Sequence, residues 1–166
     1  VALERFSAAW REAYVAGDDA AAHAREDGVC VFCALGAELV DESTGVLAKR
    51  AHTYVVLNAF PYGSGHLLVV PYRHVGSLEE LGEDEYADLF LGIRDAVVAL
   101  GEAYEPDGMN VGLNLGHAAG AGIPKHLHAH ALPRWNGDTN FMTTIGETRV
   151  LPESLASTWL KVHARL

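Results

Sequence analysis

Three histidines at alternate positions, His126, His128 and His130, stand in the run Lys125-His126-Leu127-His128-Ala129-His130-Ala131-Leu132-Pro133. In an extended strand, residues i, i+2 and i+4 share one face, so this spacing predicts a row of imidazoles above an apolar underside of Leu127, Ala129 and Ala131. A solvated histidine-rich edge or a tag-like metal binder would give the same spacing. The apolar strand and the neighbouring Gly/Ala-rich loop 116–122 argue against both. Imidazole can act as nucleophile, metal ligand or proton donor near neutral pH, so the row supports acyl, phosphoryl or metal-assisted chemistry and does not choose among them. Neither His-Glu-x-x-His nor Gly-x-Ser-x-Gly occurs, which removes the zincin and serine-hydrolase readings.

The rest of the chain reads as α+β. Short β-rich runs at 46–49, 52–58 and 66–71, the latter two joined by a Pro/Gly-punctuated turn, predict antiparallel pairing. Further strands are expected at 109–115 and 125–133. Period-3.6 spacing of Leu78, Leu81, Tyr86, Leu89, Ile93, Val97 and Leu100 predicts one long helix over 84–104, and a second helix is expected at 152–164. Leu3, Phe6, Trp10 and Tyr14 predict an N-terminal helical arm over 2–16. Residues 18–37 show no sustained periodicity and read as a loop. Strands grouped with few crossover helices point to a largely antiparallel sheet rather than a doubly wound fold. At 166 residues a single domain is expected, with 1–37 as an arm and cysteine loop and 38–166 as the main unit.

Twelve Lys and Arg stand against 22 Asp and Glu, a net charge of −10, so a nucleic-acid duplex is excluded as a partner and any anionic ligand must be held by local donors. No apolar run is long enough to span a membrane and no export signal is visible, which places the protein in the cytoplasm. There the two cysteines, Cys30 and Cys33, read as a metal half-site or a redox pair, with two unligated thiols as the alternative.

The pattern His-φ-His-φ-His-φ-φ over 126–132 resembles the signature of the histidine triad (HIT) superfamily of nucleotidyl hydrolases and transferases. The likeness extends to the hairpin 57–75, to Asn110-Val111-Gly112-Leu113-Asn114-Leu115-Gly116, and to Pro133-Arg134-Trp135 with Gly137-Asp138-Thr139-Asn140-Phe141. These last segments are similar to the branch containing bacterial diadenosine tetraphosphate (Ap4A) phosphorylases. The resemblance implies a HIT-like fold: a mainly antiparallel five-stranded sheet, a long helix, a C-terminal helix and the N-terminal arm. It implies His128 as a nucleophile that becomes nucleotidylated, His130 beside the same phosphate, His66 as a further histidine near the phosphates, Asn58 at the ribose and Asn114 in the phosphate region. Where many members carry Ser, Thr or Gln before the triad, this chain has Gly122, so the contact falls to backbone N–H groups or Lys125, with Arg134 a second candidate cation. It also implies a structural Zn²⁺ on Cys30, Cys33, His74 and His126, a nucleoside polyphosphate and inorganic phosphate as partners, and a homodimer or higher homo-oligomer. Hydrolysis, phosphoramidase activity and a zinc-stabilised nucleotide-binding module are the competing readings.

Overall fold

A computed structural model describes residues 29–139 and 153–166. The expected arm over 2–16, together with Asn140 and Phe141, lies outside the described residues. Within them the chain is α+β, with a five-stranded antiparallel sheet. Its strands are β1 (Val46–Lys49), β2 (Thr53–Leu57), β3 (Leu67–Pro71), β4 (Gly108–Leu113) and β5 (Ala129–Arg134). The spatial order is β1-β2-β3-β5-β4. β2 and β3 form the hairpin that the turn residues predict, in register from Thr53 opposite Pro71 to Leu57 opposite Leu67. β5 then pairs with β3, setting His130 opposite Leu68, and β4 closes the far edge.

Both central strands are buried on both faces, which is why Thr53–Leu57 and Leu67–Pro71 read as continuous apolar runs rather than alternations. One face, with Val55, Leu57, Val69, Leu127, Ala129 and Ala131, packs under helices α2 (Glu83–Tyr104) and α3 (Leu155–His163). α2 presents Leu89, Ile93, Ala96 and Leu100 to that face, and a Cβ on Gly92 would fall 2.9 Å from Val69 Cγ1. The helix therefore rides as close to the sheet as a residue without a side chain permits. Tyr86, expected on the buried stripe, is instead 46% exposed, one turn ahead of the helix's contact with the sheet. Glu85 accepts the Gly82 N–H at 2.8 Å at the start of α2, and Glu105 closes its end in the left-handed region at φ 44°. α3 is tied to β1 by Trp159 Nε1 donating to the Val46 carbonyl and His163 Nδ1 donating to that of Leu47.

The opposite face carries Tyr54, Val56, Leu68 and Val70 and is covered by a short helix, α1 (Val31–Ala37), through Phe32. This segment is helical where the sequence predicts a loop. Two turns are too short to display a period, and tertiary contacts hold them: the Tyr54 hydroxyl donates to the Phe32 carbonyl at 2.7 Å and Lys49 Nζ to that of Gly36 at 3.0 Å. The histidine run differs as well, since the ladder begins at Ala129 and not at 125. Pro71 ends β3, and its carbonyl accepts the ring N–H of His126 at 2.9 Å, so a side chain takes the place of a backbone rung there. No helix among the described residues is long and apolar enough to cross a membrane.

Candidate active site and metal centre

Alternation along the run 126–131 sends Leu127, Ala129 and Ala131 under α2 and turns the three histidines to the α1 face. His126, His128 and His66 are all but sealed from solvent, at 0%, 6% and 1% exposure. A buried imidazole needs defined hydrogen-bond partners, and those partners fix its tautomer.

His128 Nδ1 lies 2.8 Å from the His126 carbonyl oxygen. A carbonyl only accepts, so Nδ1 carries the proton and the lone pair is on Nε2. On the other side, His66 Nδ1 accepts the Tyr62 backbone N–H at 3.0 Å and lies 3.3 Å from the Asn58 amide nitrogen. Its proton is therefore on Nε2, which donates to His130 Nδ1 at 2.9 Å. His130 in turn carries its proton on Nε2, a buried atom that makes no hydrogen bond within the described residues. The ring centroids of His128 and His130 are 5.1 Å apart, so a ring with its lone pair on Nε2 neighbours one with its proton on Nε2. Burial, with the neighbouring His128, lowers the His130 pKa to about 4, which keeps this ring neutral at pH 7.

A second cluster adjoins the first. Cys30 Sγ and Cys33 Sγ lie 3.4 and 3.5 Å from His126 Nδ1, and Cys33 Sγ lies 3.3 Å from His74 Nδ1. All four donor atoms fall within 4.8 Å of one another, a possible Cys2His2 metal site. The donor chemistry fits a cation. Because His126 Nε2 donates to the Pro71 carbonyl, Nδ1 faces the thiols with its lone pair, and that hydrogen bond orients the ring as it would have to lie to ligate a cation. Burial, offset in part by the Pro71 carbonyl, holds the His126 pKa at about 4, so the ring is neutral and ready to ligate. The Cys33 thiol is pushed up by burial and by Cys30, a penalty on two adjacent thiolates that a bound cation would relieve.

The structure brings His128, His130, His66 and Asn58 together at one site, and Cys30, Cys33, His74 and His126 at the other. Asn114 and Gly122 flank the loop that precedes the triad in the chain, with the Asn114 amide 3.5 Å from the Gly120 carbonyl, and Lys125 is exposed just before His126. Arg134 stands on the same strand, four residues beyond His130, and its guanidinium is held by the Asp138 carboxylate and by Asn110 Oδ1 at 2.6 Å, Asn110 being the register partner of Leu132. Two contributors escape the sequence reading. The Tyr62 N–H is a backbone group and carries no residue-type signal. Phe32, packed 4.9 Å from the His128 ring, is signalled only as the aromatic member of the apolar pair Val31-Phe32 between the two cysteines.

The HIT domain model matches residues 41–137 of the chain. A protein of Mycobacterium tuberculosis described as AP-4-A phosphorylase is 46% identical over 121 residues, covering 73% of this chain. The chain spans 62% of that relative's length. The asymmetrical bis(5'-nucleosyl)-tetraphosphatase of Schizosaccharomyces pombe is 34% identical over 82 residues, covering 49% of this chain and 44% of the relative. Among solved structures, a zinc-bound histidine triad family protein from Mycobacterium smegmatis superposes with a TM-score of 0.65 at 24% identity, covering 82% of this chain and 91% of the other. That likeness concerns the fold.

Proposed function

The chain belongs to the HIT domain family, and on that premise we propose that it is a nucleotidyltransferase that cleaves dinucleoside polyphosphates such as Ap4A by phosphorolysis, through a nucleotidyl-His128 intermediate. The observation that carries this reading is the pair of tautomers: a lone pair on His128 Nε2 beside a proton on His130 Nε2. An in-line displacement at an α-phosphorus needs a neutral nitrogen nucleophile on one side and a donor to the phosphoryl oxygens at the same centre. His128 Nε2 forms the P–N bond as the bond to the bridging oxygen breaks, and ATP leaves. A phosphate oxygen then attacks the same phosphorus, the P–N bond breaks, and ADP is released with His128 restored. His130 Nε2–H stabilises the equatorial oxygens in both steps, and His66 holds that donor in place. Asn58, half-buried next to His66, is the ribose contact.

Phosphate as acceptor, rather than water, is favoured by the similarity to the mycobacterial phosphorylase and by the loop 116–122. Gly122 leaves backbone N–H groups and space there, and exposed Lys125 supplies a cation on a chain of net charge −10. Lys125 and the loop amides carry the phosphate site, with Arg134, ion-paired to Asp138, as the second candidate cation. Cys30, Cys33, His74 and His126 hold a structural Zn²⁺, since two thiolates and two imidazoles make a closed tetrahedral set. No step of the transfer passes through it.

The test is product identification. Ap4A with millimolar phosphate should give ATP and ADP, and Lys125→Ala should raise KM for phosphate more than KM for Ap4A. ATP and AMP in amounts unchanged by phosphate would make the enzyme a hydrolase.

A further inference from the structure

We propose that Phe32 is a positioning residue that couples occupancy of the Cys30–Cys33–His74–His126 site to the orientation of the His128 ring, a role that rests on the reading of His128 as nucleophile. Phe32 is the residue between the two cysteines that turns into the core, at 6% exposure. Its ring meets His128 at 4.9 Å with a 52° tilt and His126 at 5.5 Å nearly edge-on, so it wedges between a metal-ligand candidate and the nucleophile. Its backbone is pivoted by the Tyr54 hydroxyl, which is independent of any cation. Either side of that pivot, Cys30 and Cys33 stand 3.4 and 3.5 Å from His126 Nδ1. Thiolate and imidazole bonds to zinc are only about 2.0–2.3 Å long, so a bound cation fixes the two cysteines and the ring between them as one unit. Without it the same atoms meet only through weak thiol contacts, and the wedge loses its rigid backing.

A second connection runs through the chain itself, because the His126 carbonyl that accepts the His128 Nδ1–H belongs to a ligand residue. The two routes are separable, since a Phe32 substitution alters the packing contact and leaves the carbonyl in place. Side chains that set the geometry of a reacting group from one shell away change rate more than binding.

The experiment uses the full chain labelled with ¹⁵N-histidine, zinc-loaded or stripped with a chelator, and reads the His128 ring by long-range ¹H–¹⁵N correlation together with steady-state kinetics on Ap4A. Stripping the wild type should move and broaden the His128 ring signals and lower kcat by about tenfold, with KM little changed. Zinc-loaded Phe32→Ala should already show the shifted His128 signals while retaining its zinc, and stripping should cost it no more than about twofold in kcat. Phe32→Leu, which keeps an apolar side chain of intermediate size but removes the ring, should fall between the two and carries the comparison if the alanine variant does not fold. His128 signals insensitive to both zinc and Phe32 would overturn the proposal, as would an equal loss on stripping in wild type and Phe32 variants. His128→Ala in the same assay distinguishes the two levels: if it retains turnover the nucleophile is misassigned, whereas its inactivity alongside unresponsive Phe32 variants refutes the coupling alone.

Discussion

His66 Nε2 donates to His130 Nδ1 across 2.9 Å, and the direction of that bond is set four residues away by the Tyr62 N–H on His66 Nδ1. The hairpin turn thus decides which nitrogen of His130 carries the proton. Removing His66 leaves both ring nitrogens of His130 able to carry the proton. His66→Ala should lower kcat by about 10- to 100-fold while nucleotide affinity changes little, and His130→Ala should be less severe than loss of His128. Near-normal kcat in His66→Ala, measured under saturating Ap4A, would mean the tautomer chain has no catalytic weight.

The Cys30, Cys33, His74 and His126 donors predict about one zinc per chain in protein purified without chelators. Cys30→Ser should lower both metal content and Tm. Metal analysis by plasma mass spectrometry that finds no zinc would contradict the assignment.

His130 supplies a pH dependence with a definite sign. Its folded pKa, about 4, lies below the ordinary 6.5, so between those values the unfolded chain binds a proton that the folded chain refuses. Its contribution to stability therefore falls as pH drops from about 6.5 to about 4 and levels off below. Over that window the advantage of wild type over His130→Gln in urea unfolding should shrink by about 2–3 kcal/mol. A difference independent of pH would show that His130 is not buried as a neutral ring.

Among the described residues β4 is an edge strand with Val111 47% exposed, and no other described strand pairs with its outer backbone groups. Pairing with a second copy would remove that liability. Light scattering at micromolar concentration should return a dimer or larger, and a charged substitution, Val111→Lys, should shift it toward monomer. A wild-type monomer at those concentrations would contradict the assembly.

The row of histidines is legible in sequence because alternation needs only local geometry, the central strands because they are short apolar runs bounded by turn residues, and α2 because its apolar spacing is regular. What the spacing could not reveal was the division of labour. His126, His128 and His130 share a face, yet Pro71 and the cysteines claim the first while His66 claims the last. Those partners lie far away in sequence. α1 was missed because two turns carry no period and its support, the Tyr54 hydroxyl and Lys49, comes from other strands. The charge of Arg134 makes it a candidate phosphate ligand, and only the fold shows that Asp138 and Asn110 hold its guanidinium.

The central claim is that His128 Nε2 becomes bonded to phosphorus. Mixing the protein with Ap4A in phosphate-free buffer, quenching in alkali to preserve a P–N bond, and mapping peptides by mass spectrometry tests it most directly. An adenylyl group on His128, discharged to ADP when phosphate is added before the quench and absent from His128→Ala, is the predicted result. Turnover with no adduct on His128, or a His128→Ala protein that still converts Ap4A at near wild-type rate, would contradict the account.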